Sequence, residues 1–399
     1  MISLVLIAQN FLLKNVNVFT SNGKIDSVDI LVENGTIKKI GKNLKSEYRI
    51  IDGNYYDVYP SFINTISSVG LVEISAVRAT NDLSEIGDFN AFLKSYNAIN
   101  PSSAHMGVIR SNGILIVNTI PRGSLISGFS SVIKLNGRTQ EEMLIKGKSA
   151  LNIFWDMKKI SKIYEFFTNA KSYILSNSSG NLIYDEIKDV LDGKIPIFIH
   201  VDSDDEILSA IEFSRSFNLK IVIVGIYGIR KTIEYIKNYN IPVILNGIHR
   251  LPKEDEPYDD IFTLPKFLKD NGINFCISTN SNAFSIFDEK NLPYHVSSAI
   301  AFGLDKQTAI NSITINCAKI LNIDEKYGSI EEGKSATFFI VEGDPFDFKS
   351  KIIKAFVNGF EINLKNKHTE LFEKYNFWFI YKLTSFRKTI INLIFRINK

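Results

Sequence analysis

Cysteine is almost missing from this chain of 399 residues: only Cys276 and Cys317 are present, far apart, each inside an apolar segment. That pattern reads as two buried thiols and not as a disulfide framework or a metal clip, so cysteine says nothing about compartment. No apolar run approaches the ~20 residues of a membrane-spanning helix. Charge of one sign is lacking too. The net charge is +3, and no dense Lys/Arg stripe crosses the main body, which argues against nucleic acid as a partner.

What is present is apolar residues, at 45% of the chain, enough to bury a large core and inconsistent with global disorder. The length exceeds one ordinary domain, although a single α/β barrel with attached pieces reaches it. The opening MISLVLIAQN has a short hydrophobic stretch without a basic region before it. Two readings of residues 1–9 stay open: a first strand, or the end of a truncated signal peptide, which would mark an exported and not a cytoplasmic protein.

Residues 10–58 read as short strands separated by turns. Asn34-Gly35 stands between DILVE and TIKKIG, and Asn-Gly between alternating runs fits a type I′ hairpin because both central positions need positive φ. The pattern returns at 335–364, around Asn358-Gly359. Two β segments at opposite ends of the chain predict one small sheet domain assembled from both termini, with residues 326–365 as its second half.

Between them, residues 59–325 change texture. IPIFIH, KIVIVG, IPVILN and INFCIS follow one another at intervals of about 20–30 residues, separated by helix-length stretches. Ser203 with Glu206 three residues later opens one of these helices as a capping box. Near-continuous apolar runs are what parallel strands covered on both faces look like. Repeated strand–helix–strand units build a doubly wound sheet or a (β/α)8 barrel, and the length favours the barrel.

The segment 366–399 is separate again. Phe379, Leu383, Phe386, Ile390, Ile394 and Ile397 form one helical stripe, and no acidic residue follows Glu373. The stripe predicts a basic amphipathic tail helix, docked on the protein itself or making peripheral membrane contact through 374–399.

Three stretches resemble the amidohydrolase superfamily, particularly its imidazolonepropionase-like branch. YPSFINTISSVGL (59–71) is similar to the family's Pro-Gly-Phe-Ile-Asp-x-His-x-His at barrel strand 1. ITINCAKILNIDEKYGSIEEGKSATFFIVEGDPF (313–346) is similar to its closing pattern, and VNVFTSNGKIDSVDILVENGTIKKIG to its opening sheet. The resemblance implies a (β/α)8 TIM-like barrel plus a small β-sandwich built from both chain ends. It also implies hydrolysis of a non-peptide C–N bond, such as a cyclic amide, by water that one or two divalent metals activate at the C-terminal ends of the strands.

Carried over position by position, the implied ligand set is depleted. Asn64 stands at the aspartate of strand 1, and Ile66 and Ser68 at its two histidines. Ile66 has no donor atom and a neutral hydroxyl is a weak zinc ligand. Asn280 aligns with the strand-8 aspartate, and an amide cannot take a proton from attacking water. KIVIVGIYG offers Gly225 or its neighbours where the strand-6 histidine belongs, and no strand-4 Lys or Glu is well placed to bridge two metals. His200, ending IPIFIH, alone matches a metal-binding position, so the resemblance implies at most one divalent ion such as zinc.

Other polar residues fall near the face where barrel sites form. His249 and Arg250 follow IPVILN, and with His200 they are candidates for catalysis. Arg122 and Ser127, in TIPRGSLISG, and His295, at the start of an apolar helix, are candidates for contacting substrate. Each has a plain alternative as a turn, cap or packing residue. Asp202, Asp204 and Asp205 are expected as helix-start residues favoured by the helix dipole. Three readings follow: a C–N hydrolase with an atypical site, a non-catalytic descendant that binds a small molecule or a protein, and an envelope-associated scaffold.

Overall fold

The computed structural model describes residues 10–254, 256–280 and 285–376. The reading of residues 1–9 lies outside them, and so does the stripe Phe379–Ile397; of the tail, 367–376 is helical.

The first five strands are β1 (Phe11–Thr20), β2 (Gly23–Glu33), β3 (Thr36–Gly41), β4 (Arg49–Asp52) and β5 (Asp57–Pro60). Asn34 and Gly35 turn β2 into β3 with φ of 51° and 75°, and the two strands pair antiparallel, as the Asn-Gly signal requires. The barrel strands follow: β6 (Phe62–Ser67), β7 (Ile114–Thr119), β8 (Ile126–Lys134), β9 (Leu144–Phe154), β10 (Ile197–His200), β11 (Ile221–Gly225), β12 (Val243–Asn246) and β13 (Phe275–Ser278). The chain ends in β14 (Phe338–Glu342), β15 (Lys351–Val357) and β16 (Phe360–Glu361), the last two joined through Asn358 and Gly359 at φ of 48° and 77°.

Both chain ends meet in one sheet, ordered β16-β15-β14-β5-β1-β2-β3 with β4 also against β1. The joint is the antiparallel pair β14 and β5, in which Phe338 faces Pro60 and Val341 faces Asp57. This sheet has its own core, in which Phe11, Val16, Ile30 and Val58 from the start of the chain pack with Phe338, Ile340 and Phe356 from its end.

The second sheet runs β13-β12-β11-β10-β9-β8-β7-β6 and curls into a nearly closed barrel. It differs from a regular (β/α)8 barrel in one strand: β8 is antiparallel to both β7 and β9, while the other neighbours are parallel. The short connections on either side of β8 are the physical cause, since antiparallel neighbours need only a turn whereas parallel ones need a crossover. The end strands β6 and β13 meet at a seam. At its lower end the backbone of Ser312–Ile313 is wedged in, accepting bonds from Ile277 N at 3.0 Å and Ile63 N at 2.8 Å.

Strand alternation sorts the side chains into two layers. Val132, Ala150, Phe198, Val222, Ile244 and Cys276 point into the barrel, where Cys317, Ala318 and Leu321 plug its lower end. The intervening residues, such as Leu151, Ile197, Ile199, Ile223 and Leu245, face the surrounding helices. Both cysteines are buried free thiols. Ser203 caps the helix Asp204–Phe217 by accepting from Glu206 N at 3.3 Å, with Asp204, Asp205 and Glu206 in its first turn.

Candidate functional site

Inward positions at the C-terminal ends of the strands are where a barrel of this kind builds a site. On β6 the side chain of Asn64 is held by four bonds. Its Oδ1 accepts from Ser278 Oγ at 2.6 Å and Thr279 N at 3.2 Å; its Nδ2 donates to Thr279 Oγ1 at 2.9 Å and Glu289 Oε2 at 3.2 Å. Ser278 Oγ also accepts from Ile66 N at 2.9 Å. Side chains thus close the upper seam between β6 and β13.

Glu289 is the centre of this network. It lies on the 3-10 helix Ile286–Asn291 and is fully buried. Ser67 Oγ donates to its Oε2 at 2.6 Å, and Ser68 N and Oγ donate to its Oε1 at 2.8 and 3.4 Å. A buried carboxylate is stable only when paired and hydrogen-bonded, and strand 1 supplies those donors.

The next strands carry neutral polar groups. Ser149 Oγ donates to Asn118 Oδ1 at 2.5 Å and shares a bond with Ser130 Oγ at 2.9 Å, while Asn118 Nδ2 donates to Thr65 O at 3.0 Å. On β9, Asn152 Nδ2 donates to the carbonyls of Gly128 and Ala150, both at 3.3 Å. Its Oδ1 therefore faces His200 Nε2, 3.1 Å away.

This arrangement assigns the histidine's tautomer. Burial, with a smaller contribution from the Arg122 charge, holds the His200 pKa well below the usual 6.5, so the ring is neutral at pH 7. Facing a carbonyl-type oxygen, Nε2 carries the proton and Nδ1 keeps its lone pair. Among the described residues that buried Nδ1 has no partner. The ring lies flat against Phe154, centroids 4.1 Å apart, and the Arg122 guanidinium sits 5.5 Å from the Phe154 centroid.

Arg122 is the cation of the mouth. Its Nη2 is buried without a partner among the described residues. Burial, then the like charge of Arg250, pushes its pKa down to about 10, with Glu289 and Asp202 acting in the opposite direction. It remains charged at neutral pH.

Of the residues nominated from sequence, His200 and Arg122 therefore come together on the Phe154 ring, with the Arg250 charge felt at Arg122. His249 does not join them. Its ring stacks on His295 at a centroid distance of 3.9 Å, and its Nε2 bonds Ser298 Oγ at 2.8 Å. Partial burial and the neighbouring His295 push the His249 pKa down to about 4. His295 Nε2 in turn meets Asp288 Oδ2 at 3.1 Å. Ser127 is buried in its own turn, its hydroxyl donating to Ser124 O at 2.9 Å and accepting from Ser124 N at 3.2 Å.

Ile66 is buried among apolar residues inside the barrel, Ser68 is directed at Glu289, and Asn280 packs its backbone against Gly247, whose φ of +82° leaves no room for a side chain. At Gly225 a Cβ would lie 2.6 Å from Val201 O, so that position cannot carry a ligand. Among the described residues, no group of three or more His, Cys, Asp or Glu side chains is placed to hold a metal ion.

Sequence reasoning missed Glu289, which sits in IFDEKN without any motif and meets partners more than 200 residues away. It missed Asn152 as well. Its signal was available: an amide at an inward position of the apolar strand ALNIF.

Residues 216–364 match the model of the amidohydrolase family. An amidohydrolase structure from Thermotoga maritima matches the fold with a TM-score of 0.81, covering 88% of this chain and 99% of its own at 23% identity. An adenine deaminase from Clostridium botulinum is 29% identical over 112 residues, 27% of this chain and 18% of that enzyme. An imidazolonepropionase from Picrophilus torridus is 40% identical over 62 residues, 14% of this chain and 16% of that enzyme.

Proposed function

We infer from the match of residues 216–364 that the chain is a member of the amidohydrolase superfamily, and we propose that its barrel mouth takes up a small anionic molecule without a metal pair. The observation that carries this is the buried Arg122 Nη2 in the same mouth as the Nδ1 of His200, both without a partner among the described residues. An unpaired buried donor and acceptor cost free energy in the protein alone, and a ligand that satisfies both recovers it. An acid group suits Arg122, assisted by Arg250; a ligand N–H suits His200 Nδ1. Acylated amino acids and acidic cyclic amides present both groups. On this reading the sheet joined from both chain ends is the family's small β-sandwich, flanking a barrel whose metal site is degenerate.

Calorimetric titration of the full chain with a panel of such compounds tests the proposal. Binding should weaken at least about tenfold in Arg122→Ala, the loss of one charge-assisted contact. Unchanged binding in that variant, or none by any acidic compound, would rule it out.

A second reading, hydrolysis of the C–N bond of the same ligand, is favoured by the His200 lone pair beside the Arg122 charge. His200 Nδ1 would accept a proton from water and Arg122 would stabilise the developing oxyanion. The depressed basicity of His200 makes it a weak base, so binding without turnover is the first reading. Product formation that disappears in His200→Gln, under conditions where binding persists, would favour hydrolysis instead.

A further inference from the structure

At the end of the barrel opposite the mouth, the turns that lead into β10, β11, β12 and β13 surround an open cavity of about 500 Å³. Its lining includes four basic side chains, Lys194, Arg215, Lys220 and Lys319, and no Asp or Glu. We propose that this cavity is a second binding site, for a small molecule carrying a di- or triphosphate group.

The plain explanation of such lysines is that they offset the partial negative charge of helix C-termini, about half a unit per helix. Those helix ends are already served. Asn218 N and Leu219 N bond back to Arg215 O and Ser214 O, Asn240 N and Ile241 N to Lys237 O and Ile236 O, and Asn322 N and Ile323 N to Lys319 O and Ala318 O. Asn218, Asn240 and Asn322 adopt φ of 55°, 51° and 52°, the left-handed turn that closes a helix with its own backbone. The helix before Asn322 has in addition Lys146 Nζ, which donates to Leu321 O at 3.0 Å.

Ion pairing does not use up the charge either. Lys194 is engaged by Asp189 and Asp192, both at 3.1 Å. Arg215 lies over the Tyr239 ring at 4.9 Å, which orients the guanidinium and leaves its charge available. Among the described residues, neither Lys220 nor Lys319 has a carboxylate partner. Three cations thus face one cavity, together with the asparagine amides, and the arrangement suits a ligand with several closely spaced negative oxygens. Its size is in the range of small-molecule sites.

The test is calorimetric titration and thermal denaturation of the full chain with tripolyphosphate, ADP, orthophosphate and adenosine. Tripolyphosphate and ADP should bind and raise the melting temperature, more weakly as salt rises; orthophosphate should bind less and adenosine not at all. Lys220→Ala/Lys319→Ala should weaken tripolyphosphate binding about tenfold or more, whereas Lys38→Ala/Lys39→Ala, a remote pair of lysines, should leave it unchanged. Arg122→Ala, at the barrel mouth, should leave it unchanged too, which separates this site from the one proposed there. No binding of either polyphosphate overturns the inference, as does equal weakening in the two lysine pairs, the mark of non-specific attraction.

Discussion

Ser67 donates its hydroxyl hydrogen to Glu289 at 2.6 Å, joining strand β6 to a 3-10 helix 222 residues further along the chain. The same carboxylate takes the Ser68 amide at 2.8 Å and the Asn64 amide at 3.2 Å. Asn64 and Ser67 of β6 and the residue after it, Ser68, thus converge on one buried carboxylate. Glu289 therefore ties β6 by hydrogen bonds to the segment that follows β13.

Removing that carboxylate leaves buried donors unpaired. Glu289→Ala should lower stability by about 3–5 kcal/mol, since each orphaned donor costs roughly 1–3 kcal/mol. Glu289→Gln, which keeps one acceptor oxygen, should cost less. Urea denaturation midpoints measure both. A loss under about 1 kcal/mol in the alanine variant would show that the network adds little.

Stability should fall on mild acidification. Burial lowers the folded-state pKa of His200, and burial together with His295 lowers that of His249 to about 4. The unfolded chain takes up these protons near pH 6.5. A group whose folded pKa is depressed this way binds more protons unfolded than folded, so its stability contribution is complete above about pH 6.5 and declines as pH drops below it. For His249 the decline ends near pH 4. Stability curves at pH 7.5 and 5 should differ in that direction, and His200→Asn should flatten the difference. An equal pH dependence in wild type and variant would contradict the assignment.

Asn152 sets the His200 tautomer, and a charge there should reset it. In Asn152→Asp the new carboxylate faces Nε2 across the present 3.1 Å contact and favours the imidazolium. The ring's pKa should rise by at least about one unit, read from its nitrogen chemical shifts against pH. An unmoved titration would mean that the pair is not coupled as the geometry indicates.

Much of the fold was legible because its signals are local or strongly patterned. Asn34-Gly35 and Asn358-Gly359 mark hairpins through backbone conformation alone. The closing pattern could be read because its residues hold the molecule shut. Ser312–Ile313 wedges the barrel seam, and the chain after it returns to pair β14 with β5. Reversal of β8 was harder to see, since SGFSSVIK is an equally good strand in either direction and only its short connections distinguish the two. In the site, Ile66, Ser68 and Asn280 were readable only as single positions. The contact of Ser67 and Ser68 with Glu289 was not readable, because a contact spanning more than 200 residues leaves no spacing to recognise. The grouping of His249 with His295 instead of His200 likewise depends on how the loop after β12 folds back on the helix Leu292–Ala301.

The most direct test of a mouth organised by Glu289, Arg122 and His200 without a metal pair is the metal content of the full chain, purified without chelator and measured by plasma mass spectrometry. Transition metal well below about 0.1 equivalents per chain, with no change in melting temperature on adding chelator, is the predicted result. About one or two ions per chain, lost in His200→Ala, would contradict it and restore metal-assisted hydrolysis as the activity of this protein.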